Sequence, residues 1–168
     1  IAQNKMFCDR YIDKFAEIFP EKLNGISSSK LYSAINYCHP SFIRVEADEV
    51  TYPMHIILRY EIEKGLFDET IKIKNLPKIW NDKMEEYLGI IPTSDSLGVL
   101  QDVHWSGGAF GYFPSYTLGA MYACQFYEKM MRDFNDNLIT IIDGGLGCIK
   151  NWLNSNIHQL GRLYSPDD

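Results

Sequence analysis

The sequence predicts a mainly α-helical protein with one small β-hairpin or short sheet. Three observations predict it. Apolar residues recur at three-to-four spacing along most of the chain, Pro and Gly punctuate those runs where helices start and stop, and Thr70 to Lys74 instead alternates apolar with charged residues.

From Lys5 to Phe19 the residues Phe7, Tyr11, Phe15 and Ile18 form one helical stripe, which Pro20 ends. Ser27 to Ser29 offer caps for a short helix carrying Leu31, Ala34 and Ile35, which breaks before His39-Pro40. A third helix starts between Asp48 and Pro53. Met54, Ile57, Leu58 and Ile62 face its core side, Arg59 and Glu63 pair on its exposed side, and Gly65 closes it. Thr70 to Lys74 then fits a half-buried strand, with Ser41 to Val45 as its nearest candidate partner. Pro77 opens a helix through Trp80, Met84, Tyr87 and Leu88 to Gly89. Asp95 caps another across Leu97, Leu100 and Val103, stopped by Gly107-Gly108. The longest helix runs from near Ser115 to about Phe134, with Leu118, Met121, Tyr122 and Phe126 inward.

Leu138 to Gly147 superficially resembles a phosphate-binding turn, but it lacks both G-x-G-x-x-G and a G-K-[ST] ending. Phe134, Leu138, Ile141 and Ile142 fit helical spacing, so Gly144-Gly145 is better read as a helix end before a last helix with Ile149, Trp152, Leu153 and Ile157. No repeat, low-complexity tract or linker divides the chain, and residues 1–168 are expected to form a single helical unit.

A composition 46% hydrophobic over 168 residues suffices for a sizeable core. The net charge of -6, with no local Lys/Arg cluster, leaves no footprint for nucleic acid or an acidic membrane. No apolar run approaches the ~18 residues needed to cross a bilayer. Cys8, Cys38, Cys124 and Cys148 stand far apart among apolar neighbours without a C-x-x-C pair, as small core residues do. Together with the lack of a signal peptide, they point to the cytoplasm. Ile1 is not an initiator methionine and the chain opens almost directly inside a helical pattern, as a fragment would.

Chemistry concentrates between Ser96 and Tyr116, where Gln101, Asp102, His104, Tyr112 and Tyr116 are interleaved with Gly107, Gly108 and Gly111, as in a lined cleft. His104 is either a core histidine bonded to Asp102 or a donor aimed at a developing oxyanion. Tyr112 and Tyr116 carry the same ambiguity. Arg44 lies in an apolar segment where an unpaired guanidinium is costly. It pairs with Glu46 or Asp48, or its planar fork binds a carboxylate. For metal the chain has no H-E-x-x-H and no two histidines four residues apart, so no metal ligand is assigned and none is expected to bind this chain alone.

IRVEAD (Ile43 to Asp48), running on through EVTYP and HIILRYEIE, then GVLQDVHW (Gly98 to Trp105), GYFPSY (Gly111 to Tyr116) and the IHQLGRLYSP ending resemble the thermostable carboxypeptidase Taq family of zinc metallocarboxypeptidases. The resemblance runs along nearly all of the chain. It implies a zincin-type helical fold with a small sheet beside a deep groove, and hydrolysis of the last peptide bond of peptides with a free C-terminus. It also implies zinc, or another divalent metal, held upstream of this chain by H-E-x-x-H and a further glutamate, so that the fragment alone is inactive. The same resemblance implies a homodimer. By motif position it places Arg44, with Asp102 and Gln101, on the substrate side and gives Asp102 the task of orienting its neighbours. His104 and one of Tyr112 or Tyr116 would stabilise the oxyanion. The alternative is a non-catalytic helical interaction module that keeps these residues only as core.

Overall fold

Side-chain caps, Pro and Gly place most helix ends. In the computed structural model, which describes residues 2–135, 137 and 146–165, α1 (Lys5–Ile18) starts at Asn4, whose side chain accepts from the Met6 amide at 2.9 Å. Pro20 stands at the first position of the short α2 (Pro20–Leu23). Ser27 Oγ accepts from the Lys30 amide at 3.2 Å and caps α3 (Ser28–Ile35). Pro53 and Pro77 fall in the first turns of α4 (Tyr52–Phe67) and α5 (Leu76–Leu88), and Gly89 closes α5 in the left-handed conformation, φ 69°. α6 (Pro114–Asp133) is followed by α7 (Leu146–Leu153) and a π-helical turn, Asn154–His158.

The chain divides into two compact units, Ile1–Ile35 with Ala123–Asp168, and Asn36–Tyr122. In the first, Met130 and Trp152 form the buried centre, with Phe7, Tyr11, Phe126 and Ile149 packed on them. The Trp152 indole N–H donates to Asp133 at 2.9 Å. In the second, α4 and α5 bury Leu58, Ile62, Trp80, Met84 and Leu88. Phe42, Val99 and Trp105, close in sequence to candidate residues discussed below, pack against that core.

Several expectations are overturned. Among the described residues there is no strand. Both segments expected to pair contain 3-10 turns instead, Arg44–Glu46 and Ile73–Asn75. The physical reason is visible at Gly65, which does not end α4: the chain turns back after Phe67, and the Ile71 amide donates to the Gly65 carbonyl at 2.8 Å. A Cβ on Gly65 would lie 2.6 Å from Ile71 Cδ1, so the glycine makes room for this return. The helix expected from Asp95 is a series of tight turns, with Leu100 and Val103 exposed.

On α4, Leu58 and Ile62 are buried as expected, but Arg59 and Glu63 are buried as well and Ile57 is exposed. Leu118, Met121 and Tyr122, expected inward, are exposed. Cys8 is buried as a core residue should be, but Cys38 and Cys124 are exposed. The Leu138 to Gly147 contest falls almost wholly outside the described residues. No helix among those described is long and apolar enough to cross a membrane.

Candidate active site

A buried ion cluster forms where the Arg44–Glu46 turn, α4 and the loop after α5 meet. Asp102 receives two guanidinium groups. Arg44 donates through Nη2 at 2.7 Å and Nε at 3.2 Å to Oδ1, and Arg59 donates through Nε at 2.7 Å to Oδ2. Arg59 Nη2 also lies 2.7 Å from Oδ2 as an ion-pair contact without hydrogen-bond alignment. Arg59 is fully buried and Arg44 only 5% exposed. Tyr52 Oη accepts from Arg44 Nη1 at 3.0 Å, and the His55 carbonyl accepts from Arg59 Nη1 at 2.7 Å. Rings flank both cations: Arg44 lies 4.9 Å from the centre of Tyr116, and Arg59 4.5 Å from that of Trp80. Burial pushes the Asp102 carboxyl upward, but its bond to Arg44 and the charge of Arg59 outweigh this, holding it below the usual carboxylate range.

His104 adjoins this cluster. Its Nε2 is 3.0 Å from Tyr116 Oη, its Nδ1 is 3.8 Å from Asp102 Oδ1, and its ring lies tilted against Phe113 with centroids 4.4 Å apart. Tyr112 stands on the outer side, half exposed, with its ring 5.8 Å from His104. The structure thus brings Arg44, Asp102, His104 and Tyr116 into one contiguous group. A cation, a carboxylate, an imidazole and a phenol held together this way can bind a carboxylate and donate to developing negative charge.

The whole chain, residues 1–168, matches the family described as carboxypeptidase Taq (M32) metallopeptidase. The chain belongs to this family. It is 48% identical over its full length to carboxypeptidase 1 of Bacillus subtilis (strain 168), covering 34% of that protein, and 39% identical to thermostable carboxypeptidase 1 of Pyrococcus furiosus, again covering 34%. A crystal structure of BsuCP superposes with a TM-score of 0.90 over 99% of this chain and 33% of its own, at 48% identity. The Trypanosoma cruzi metallocarboxypeptidase 1 gives a TM-score of 0.80 at 41% identity, over 89% of this chain and 31% of its own. The chain therefore spans about a third of the length of the curated relatives it matches.

A carboxypeptidase Taq metallopeptidase needs a metal, and the residues described here do not fit one. Among them no group of three or more His, Cys, Asp and Glu side chains could hold an ion. What the described residues of this chain build is the cluster around Asp102.

Gln101, expected to face substrate, spends its amide on the chain itself. Its Oε1 accepts from the Arg44 amide at 2.9 Å, and its Nε2 donates to the Phe42 and Leu97 carbonyls at 2.9 and 3.1 Å. It thereby pins the turn that carries Arg44. Asp48 does not pair with Arg44. Its side chain accepts from the Val50, Thr51 and His39 amides and the Thr51 hydroxyl, organising the approach to α4.

Three buried residues were not anticipated as part of the site: Arg59, Glu63 and His55. His55, Arg59 and Glu63 fall on one helical stripe of α4 at four-residue spacing, a pattern that by itself also describes a solvated face. His55 is fully buried, and its pKa is lowered from 6.5 to about 4, first by burial and then by the charge of Arg59, with Arg44 adding and Asp102 opposing. Between pH 6.5 and about 4 the unfolded chain therefore binds the proton that the folded chain refuses. Stability is retained above pH 6.5 and falls as the pH drops through that window. His55→Leu should flatten this part of a stability-against-pH curve measured by denaturant unfolding. An unchanged slope would mean that another group carries it.

Proposed function

We propose that this chain forms the substrate-carboxylate and oxyanion side of a metal-dependent carboxypeptidase that removes the last residue of peptides with a free C-terminus. The metal, zinc on this reading, belongs to residues outside this sequence. One observation supports the reading above others: two buried guanidiniums share one carboxylate, so the cluster around Asp102 carries a surplus positive charge. A buried surplus of that sign favours a ligand carboxylate, and family membership makes a peptide C-terminus the natural candidate.

In this mechanism Arg44 binds the terminal carboxylate through N–H donors beyond those committed to Asp102 and Tyr52. Asp102 and Gln101 keep Arg44 in place. His104 and a tyrosine together stabilise the oxygen that gains charge when the carbonyl becomes tetrahedral. With a proton on Nε2, His104 donates to Tyr116 Oη and leaves the phenol proton for that oxygen. The complete enzyme is a cytoplasmic homodimer on the same reading, the compartment being supported by four cysteines that stand far apart in the sequence without a C-x-x-C pair.

Arg44→Ala in the complete enzyme tests this. Hydrogen bonds to charged groups are worth about 1.5–3 kcal/mol, so kcat/KM should fall about 10- to 100-fold further for a free-acid peptide than for its C-terminal amide. In the same assay the 168-residue chain alone should release no amino acid. Equal losses for the two substrates would make Arg44 a structural residue, and activity of the isolated chain would refute the outside metal.

A further inference from the structure

Glu63 lies on α4 and is only 7% exposed. Both of its oxygens are used. Oε2 accepts the Trp105 indole N–H at 2.8 Å, and Oε1 accepts the Gly111 backbone N–H. Trp105 immediately follows His104, and Gly111 immediately precedes Tyr112. One carboxylate on a rigid helix thus grips both ends of the segment that separates the candidate oxyanion groups.

That segment needs an outside hold. Its internal bonds are turn contacts such as Ala109 N–H to the His104 carbonyl at 2.8 Å, and Gly108 and Gly111 adopt φ of 77° and 72°, conformations that allow many other paths. Trp105 meets Trp80 and Phe113 edge-on, at 6.2 and 5.9 Å, so its bond to Glu63 also orients the ring against Phe113, on which the His104 ring lies. Burying a carboxylate is costly, and two neutral N–H donors offset only part of that cost.

We infer that Glu63 is a positioning residue, which sets the placement of His104 relative to Tyr112 and Tyr116 by tying down Trp105 and Gly111, without touching substrate. This inference rests on the reading of His104 as an oxyanion group.

The test is a double-mutant cycle in the complete enzyme. Glu63→Gln keeps the shape but sets an NH2 group against one of two N–H donors, so one bond is lost. It should lower kcat about 10- to 100-fold with KM changed less than about threefold, and should shift the Trp105 indole 15N–H resonance. In a His104→Ala background the same substitution should cost less than about twofold, because there is no imidazole left to place. Trp105→Phe removes the indole bond to Glu63 and should show the same dependence on His104, which covers a Glu63→Gln protein that fails to fold. Equal fold losses in both backgrounds, or a lowered melting temperature with kcat intact, would overturn the positioning role alone. Wild-type kcat in His104→Ala itself would overturn the reading of His104, and this inference with it.

Discussion

Asp102→Ala is expected to destabilise the Asn36–Tyr122 unit by about 3–5 kcal/mol, the usual cost of removing one partner from a buried ion pair. The two guanidiniums would stay where they are, fully and almost fully buried, with like charges and no counter-ion. Even with Asp102 present, burial pushes Arg59 down to about 10, so the unpaired state is strongly disfavoured.

The pH dependence follows from the same residue. Because the folded carboxyl titrates below its ordinary value of 3.8, its contribution is fully present above about pH 4 and is lost as the pH falls through the lowered folded value. Denaturant unfolding of the alanine variant should therefore show both the large loss at neutral pH and a shallower decline in acid. Arg59→Leu supplies the contrast, since it leaves one cation on one carboxylate and should cost less than Asp102→Ala. Equal costs would mean that packing around Trp80, not charge balance, dominates the cluster.

The parts of this fold legible in the sequence are those governed by local chemistry. Asn4, Ser27, Pro53, Pro77 and Gly89 mark helix ends through bonds or dihedral limits that reach only a few residues, and α1, α3, α5 and α6 fall within a few residues of expectation. The strand failed because alternation in Thr70 to Lys74 describes the residues but supplies no partner. The bond from the Ile71 amide back to the Gly65 carbonyl satisfies the backbone more simply than a ladder with Ser41 to Val45, which Gln101 already holds.

The site shows the same division. Arg44 and His104 stood out because a polar group in an apolar segment is informative by itself. Arg59 and Glu63 did not, because an i, i+4 charge pair usually belongs to a solvated surface. Only the tertiary contacts with Asp102, Trp105 and Gly111 show that each charge turns away from the other. α4 carries apolar residues on every side, with Ile57, Tyr60 and Phe67 exposed, so its sequence marks no polar face against which the buried charges could be recognised.

In the complete enzyme, His104→Ala and Tyr116→Phe should each lower kcat by about 10²- to 10³-fold, the loss typical of a removed oxyanion donor. KM should move much less, because such a donor strengthens only as charge develops on the carbonyl oxygen. The two losses should not multiply. His104 Nε2 and Tyr116 Oη share one 3.0 Å bond, so the double variant should be little worse than either single one. Tyr112→Phe should cost far less, since its half-exposed ring stands outside that bonded pair. Melting temperature separates chemistry from packing. The His104 ring lies against Phe113, itself 1% exposed, so its removal opens a partial gap that should cost a few degrees without unfolding the unit. Activity lost only in proportion to the folded fraction would make His104 a packing residue, and losses that multiply in the double variant would mean that the two groups act on different atoms of the substrate.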